Sequence, residues 1–197
     1  MKTIALTITI LIAAAAFAED TDKEGFAILF DKEHSTGWKM AGPGGFKIED
    51  GVMIGHGGMG LYWHEKEVGD FTLRLEFKQK NVNHNSGVFV RFPNPGNDPW
   101  VAVNKGYEIQ IAGDKPGTHN TGSVYSFKAA TEVPIKPAGE WNDYEITVVG
   151  QKYTIKLNGK VINEFTGNRT ERGRIGLQNH DDGSPVSFRN IRIKELK

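Results

Sequence analysis

Between positions 70 and 79 the chain reads DFTLRLEFKQ, with Phe71, Leu73, Leu75 and Phe77 set against Thr72, Arg74, Glu76 and Lys78. Strict alternation puts all the apolar side chains on one face only if the segment is a β-strand, with one side on a core and the other in water. The pattern recurs in SGVFVRF (86–92), GYEIQI (106–111), DYEITVVG (143–150), GRIGLQNH (173–180) and SFRNIRIKEL (187–196). It occurs twice in KYTIKLNGKVINEF (152–165), where Asn158-Gly159 is the favoured pair for a two-residue type I′ turn. Nowhere after residue 18 do apolar residues recur at helical spacing over ten or more positions. The 24 glycines and 8 prolines fall mainly between the alternating runs. Short strands separated by turns predict an all-β sandwich or barrel.

Residues 1–18 read differently. Lys2 precedes an apolar run from Ile4 to Ala16, and Ala16-Phe17-Ala18 is a small-x-small cleavage signal before Glu19. This predicts a secretory signal peptide over 1–18 and a single domain over 19–197. The run is too short for a membrane span, and a lipid anchor needs a cysteine that the chain lacks. The expected product is therefore free in the periplasm or outside the cell. The leader carries one of the 24 basic residues, leaving 23 against 24 acidic ones. Such a balance points away from nucleic acid and anionic membranes, and no obligatory protein partner is evident. Without cysteine, the core must supply the stability alone.

Parity assigns the chemistry-bearing side chains. On 107–111, Tyr107, Ile109 and Ile111 face one way and Glu108 and Gln110 the other, with Cα atoms about 6.6 Å apart. On 86–92, Val88, Val90 and Phe92 share one face, and Phe89 and Arg91 the other. On 174–180, Arg174, Gln178 and His180 oppose Ile175 and Leu177, and GSVYSF (122–127) puts Ser123 and Tyr125 together. If these strands are neighbours, Arg91, Glu108, Gln110, Tyr125, Gln178 and His180 line one sheet surface. Each alone fits an ordinary solvated face. Together they are short hydrogen-bonding side chains near aromatics, which suits a sugar's hydroxyls and ring faces. The longer loop 93–105 contains Trp100; loops at the rim of a sandwich often carry function, and the alternative is a surface Trp that caps the core edge.

GPGG (42–45) and GHGGMG (55–60) read as turns, because no helix follows to make a phosphate cradle. The histidines have no metal-binding spacing. HDDG (180–183) reads as a polar turn, while its three side chains leave a calcium or other divalent ion open.

In order along the chain, FAILFDKEHSTGWK, FKIEDGVMIGHGG, DFTLRLEFK, NSGVFVR, GYEIQI, TGSVY, KPAGEWNDYEI, LNGKVI and GRIGLQNHDDGSPVSFRNIRIKEL resemble the 3-keto-disaccharide hydrolase family. NSGVFVR with GYEIQI, and GLQNH with FRNIRIKEL, are the specific parts. The resemblance implies a concanavalin A-like, laminin G-like jelly-roll sandwich of two antiparallel sheets, with an oligosaccharide or glycoside ligand on the concave sheet. It implies cleavage of glycosidic bonds in sugars oxidised to a ketone at C3. By motif position it carries over Arg91, Glu108, Gln110 and His180 as site residues. Two departures stand out: Asp181 and Asp182 separate His180 from Gly183, and Ala112-Gly113-Asp114 follows Ile111 where the family often has Leu-Asp.

A 3-keto group acidifies the C2 hydrogen, so a base can remove it, the C1 substituent can leave by elimination, and water can add back. Glu108 and His180 are the expected acid and base in either order. Arg91, Gln110, Tyr125, Gln178 and Trp100 are expected to bind substrate. Two alternatives stand beside this one. A non-catalytic carbohydrate-binding domain needs the aromatics but not the acid–base pair. A conventional glycoside hydrolase needs a second carboxylate, for which Glu76 and Asp114 are the candidates.

Overall fold

A computed structural model describes residues 20–113 and 115–197, so the predicted leader lies outside the described residues. Two antiparallel sheets face each other. One runs β11 (Lys160–Thr166), β10 (Lys152–Leu157), β9 (Asn142–Val149), β6 (Phe71–Gln79), β13 (Val186–Glu195), β4 (Val52–His56) and β3 (Gly45–Glu49), with β1 (Ala27–Phe30) added along β13. The other runs β2 (Trp38–Ala41), β5 (Gly60–His64), β12 (Arg174–Asn179), β7 (Ser86–Phe92) and β8 (Tyr107–Ile111). The all-β jelly-roll expectation holds.

The alternating runs meet between the sheets. Phe71, Leu73, Leu75 and Phe77 of β6, with Tyr144, Ile146 and Val148 of β9, pack against Val88, Val90, Ile109, Ile111, Ile175 and Leu177 of the smaller sheet. Complete burial of such side chains stabilises by roughly 1.5–3 kcal/mol each. The Tyr144 hydroxyl crosses the layer and donates to the Gln110 carbonyl at 3.0 Å. Asn158 and Gly159 both take positive φ, 50° and 82°, as a type I′ turn requires, and seat Leu157 opposite Lys160.

Parity fails at Arg91. In the pairing of β12 with β7, Ile175 faces Val90 and Arg174 faces Phe92, so Arg91 is an extra residue, with φ 54°. This β-bulge rotates the strand by one residue. Phe92 therefore joins Phe89 on the outer face of the sheet, not Val88 and Val90. The Arg91 side chain turns inward and is wholly buried. Its Nη2 donates to Asp70 Oδ1 at 2.7 Å and to the Gly69 carbonyl at 2.9 Å, and its Nη1 donates to the Gly150 carbonyl. Asp70 Oδ1 also accepts the Gly150 amide at 3.0 Å. Arg91 thus clamps the turn between β9 and β10.

Two local expectations also change. Within the predicted loop 93–105, Trp100–Lys105 forms a short helix, α1, entered through Pro99 and closed by the Gly106 amide donating to the Ala102 carbonyl at 3.0 Å. Six residues are too few for helical periodicity to show. Ala102 and Val103 pack on Phe89, Phe92, Leu61 and Trp63, an apolar cluster on the outer face of the smaller sheet. The segment 122–127 is not a regular strand. Its backbone nevertheless lines the free edge of β8: Gln110 N donates to Ser123 O, Gly122 N to Gln110 O and Tyr125 N to Glu108 O, at 2.9, 3.0 and 2.9 Å. This covers an otherwise unpaired strand edge. Ser123 is buried and donates its hydroxyl to Asn120, so it does not share Tyr125's surroundings.

Candidate active site

The outer face of the smaller sheet holds a cavity of about 380 Å³, between α1 and the segment 117–125. This volume lies in the range of small-ligand sites. Glu108 and Gln110 reach it from β8 and Gln178 from β12, as parity predicts. Tyr125 is held beside Glu108 by the backbone bond between the two residues, and Trp100 lies at the rim, 56% exposed. His180 lies just past the end of β12 and also lines the cavity. The structure therefore brings together six of the seven expected site residues. Arg91 is the exception, for the bulge directs it to the other side of the sheet.

The surroundings of Glu108 strongly perturb its carboxyl. It is 7% exposed, and its side chain lies over Gly87 of the neighbouring strand. A Cβ at position 87 would stand 2.4 Å from Glu108 Oε1 and 2.7 Å from its Cγ, so only glycine leaves the space. Burial pushes the carboxyl up to about 8, with a Gln178 side-chain hydrogen bond opposing the shift. The fold thus supplies a carboxyl that changes charge near neutral pH.

The polar groups around it are directional. Gln110 Oε1 accepts the Ile111 amide at 3.2 Å, which leaves the NH₂ end of the side chain for a ligand. Asn85 Oδ1 and Gln178 Oε1 are buried acceptors without protein partners, both on residues that line the cavity. Buried acceptors are normally satisfied, and hydroxyl donors from a ligand would satisfy these. His180 Nδ1 lies 2.5 Å from Asp181 Oδ2, and His180 keeps 43% of its side-chain surface. That bond is the main reason the Asp181 carboxyl is held below its usual range. Asp182 Oδ1 accepts the Gly57 amide at 2.6 Å and ties the turn to the glycine-rich loop. The two extra aspartates thus have separate partners, and residues 180–183 form the polar turn that was expected. Among the described residues no group of three or more His, Asp or Glu side chains is placed to hold a metal ion.

Asn85, Phe89 and His119 also line the cavity and were not expected there. Asn85 precedes the first residue of β7, so strand parity could not place it. Phe89 was placed on the correct face but read as neither aromatic wall nor contact. His119 sits in a single 3-10 turn, Gly117–His119, with its ring edge-on to Tyr125 at 5.2 Å. No periodic pattern marks that position; only the bare presence of a histidine does.

The second carboxylate of a conventional glycosidase is not supplied as expected. Glu76 lies on the larger sheet, where it accepts bonds from Arg189 at 2.8 Å and Asn190 at 2.6 Å. Asp114 lies outside the described residues. Among the described residues that line the cavity, Glu108 is the sole carboxylate. Among the described residues no helix is long and apolar enough to cross a membrane.

Solved structures support the fold. One from Parabacteroides distasonis ATCC 8503, described as a candidate glycosyl hydrolase, is 27% identical, with a TM-score of 0.71, covering 87% of this chain and 99% of its own. Another from the same organism, described in the same way, is 23% identical, with a TM-score of 0.74 and coverages of 88% and 95%. The carbohydrate-binding module CBM66 from Bacillus subtilis is 17% identical, with a TM-score of 0.65 and coverages of 81% and 96%, a likeness of fold. No curated protein matches the sequence. Residues 25–194 match the 3-keto-alpha-glucoside-1,2-lyase-like domain, and the chain belongs to that family.

Proposed function

We propose that the chain cleaves the glycosidic bond of a sugar oxidised to a ketone at C3, with Glu108 as the base. The observation that carries this reading is the carboxyl over Gly87, buried and pushed up to about 8 with no second carboxylate beside it among the described residues. A conventional glycosidase needs two carboxylates flanking C1. Abstraction of a proton next to a ketone needs one, and a base with a raised pKa holds the proton better.

In the proposed cycle, ionised Glu108 takes the C2 proton, and the C–H electron pair moves to give an enolate on the C3 oxygen. The Gln110 NH₂ end donates to that oxygen, where charge develops. The enolate then collapses, the C1–O bond breaks, and the leaving oxygen takes a proton from the His180 imidazolium. Neutral His180 then takes a proton from water as the water oxygen adds at C1 of the unsaturated ketone, which regenerates the imidazolium, and Glu108, its proton exchanged with solvent, protonates C2. Asn85 Oδ1 and Gln178 Oε1 accept hydrogen bonds from ring hydroxyls, while Trp100 and Tyr125 offer aromatic surface. Substrate would be met in the periplasm or outside the cell, a placement that rests on the leader read in residues 1–18.

The test is paired incubation of a 3-keto-glucoside and its unoxidised parent in D₂O. The expected result is release of the C1 substituent from the oxidised sugar alone, with deuterium at C2, and a loss of about 10²–10⁴-fold in Glu108→Gln. Comparable cleavage of the parent would instead make the chain a conventional hydrolase. Binding of both sugars without turnover would make it a binding module.

A further inference from the structure

On the other side of α1 from the cavity lies a second depression, of about 680 Å³. Its walls carry Lys105, Arg169, Arg172 and Arg174 against one carboxylate, Glu67. Arg172 and Arg174 share that carboxylate, at 3.6 and 3.4 Å. Among the described residues the Arg169 guanidinium meets neutral groups: its Nη1 donates to the Val103 and Gly106 carbonyls, and it lies over the rings of Tyr107 and Phe127 at 4.9 and 5.0 Å. Those contacts fix the group without cancelling its charge. Arg174 Nε is buried and has no protein partner. The Arg174 guanidinium also lies 5.8 Å from the Trp63 ring, on the same outer sheet face as the cavity.

Surface cations are usually just solvated. Here two guanidiniums are already held in place, one of them with a buried N–H lacking an acceptor, and four cations face one acid. An oxyanion would supply the missing acceptor and balance the excess charge, and the fixed guanidiniums lower the ordering cost of binding it. Helix α1 is about 9 Å long at 1.5 Å per residue. It presents Trp100 and Val103 to the cavity, and Asn104 and Lys105 to the groove.

We infer that the groove binds the carboxylate or sulfate of an acidic saccharide that crosses α1 from the cavity over Glu108. The identification of the ligand as a saccharide rests on the proposed function of that cavity; the oxyanion site rests on its own residues.

Titration calorimetry on the full chain at low salt tests this. The probes are a heparin-derived sulfated tetrasaccharide, a tetragalacturonate, a neutral oligosaccharide of the same length, and inorganic sulfate. Both acidic oligosaccharides should bind about tenfold or more tightly than the neutral one, and more weakly as salt is raised. Lys105→Ala/Arg172→Ala should lose about tenfold in affinity for them while cleaving a small neutral 3-keto-glucoside at the wild-type rate. Both residues are exposed, so the variant should fold. Equal binding of acidic and neutral probes, or unchanged affinity in the double variant, overturns the site. Inorganic sulfate binding as tightly as the oligosaccharides overturns its assignment to a saccharide. Failure of 3-keto-glucoside cleavage in the wild type bears on the cavity alone, because the calorimetry reads the groove without turnover.

Discussion

The Glu108 carboxyl occupies the space that a side chain at Gly87 would need, with Oε1 2.4 Å from the position of a Cβ there. β8 and β7 are neighbours, and Gly87 pairs with Gln110, so one glycine sets how Glu108 lies across the sheet. Gly87→Ala should therefore displace the carboxyl. Because Cγ and Cδ would also be crowded, at 2.7 and 2.9 Å, rotating the carboxyl alone does not relieve the contact. The expected result is a fall of about 10²-fold in kcat/KM, as for a reacting group misplaced by about 1 Å, with overpacking destabilising the fold by about 1–3 kcal/mol. Steady-state kinetics and thermal unfolding on the same sample check both. Wild-type kcat/KM in the folded variant would refute the constraint.

Arg91→Ala should act on stability and not on substrate. It leaves Asp70 with the Gly150 amide but without its cationic partner, and three backbone contacts at Gly69 and Gly150 unmade. Breaking a buried pair is destabilising by about 3–5 kcal/mol, and Asp70 retains 36% of its side-chain surface, which favours the low end. For a chain of this size that is a drop of roughly 10 °C in Tm. Below the transition, KM should stay at the wild-type value. A raised KM with unchanged Tm would return Arg91 to the site.

These two residues mark how far the sequence could be read. Period-two alternation placed the strands and the polar face bearing Glu108, Gln110 and Gln178, because one face of each strand is sealed against a core. It misplaced Arg91 and Phe92, since a bulge adds one residue without any signature in an alternating pattern. The helix Trp100–Lys105 was too short for its period to register. Tyr125 was expected in the site, but its place depends on backbone pairing of an irregular segment with β8. The burial of Glu108 could not be seen in GYEIQI either, because it arises from segments distant in sequence folding over the strand.

Trp100 separates binding from chemistry. It is 56% exposed at the cavity rim and lies outside the buried cluster beneath α1, so Trp100→Ala should leave Tm within about 1–2 °C. Loss of an aromatic face for the sugar should raise KM about tenfold with kcat little changed, the pattern of lost uniform binding. A fall in kcat at constant KM would contradict a rim role.

The raised Glu108 carboxyl links pH to both activity and stability. With ionised Glu108 as base and the His180 imidazolium as acid, kcat/KM should be bell-shaped in pH, with one limb set by the Glu108 carboxyl near 8. Glu108→Gln should remove that limb, and a pH profile unchanged in the variant would contradict the role. For stability, the folded pKa lies above the unfolded one. The stabilising contribution is complete below the usual glutamate range and is lost as pH rises towards about 8, because the unfolded chain releases a proton that the folded chain retains. Glu108→Gln removes this dependence. The variant should therefore gain stability relative to wild type as pH goes from about 4 to 8, by at most about 5 kcal/mol at 1.36 kcal/mol per pH unit. Denaturant unfolding of both proteins across that range measures the difference. A gap that stays constant with pH would mean that Glu108 titrates normally and would remove the physical basis for its role as base.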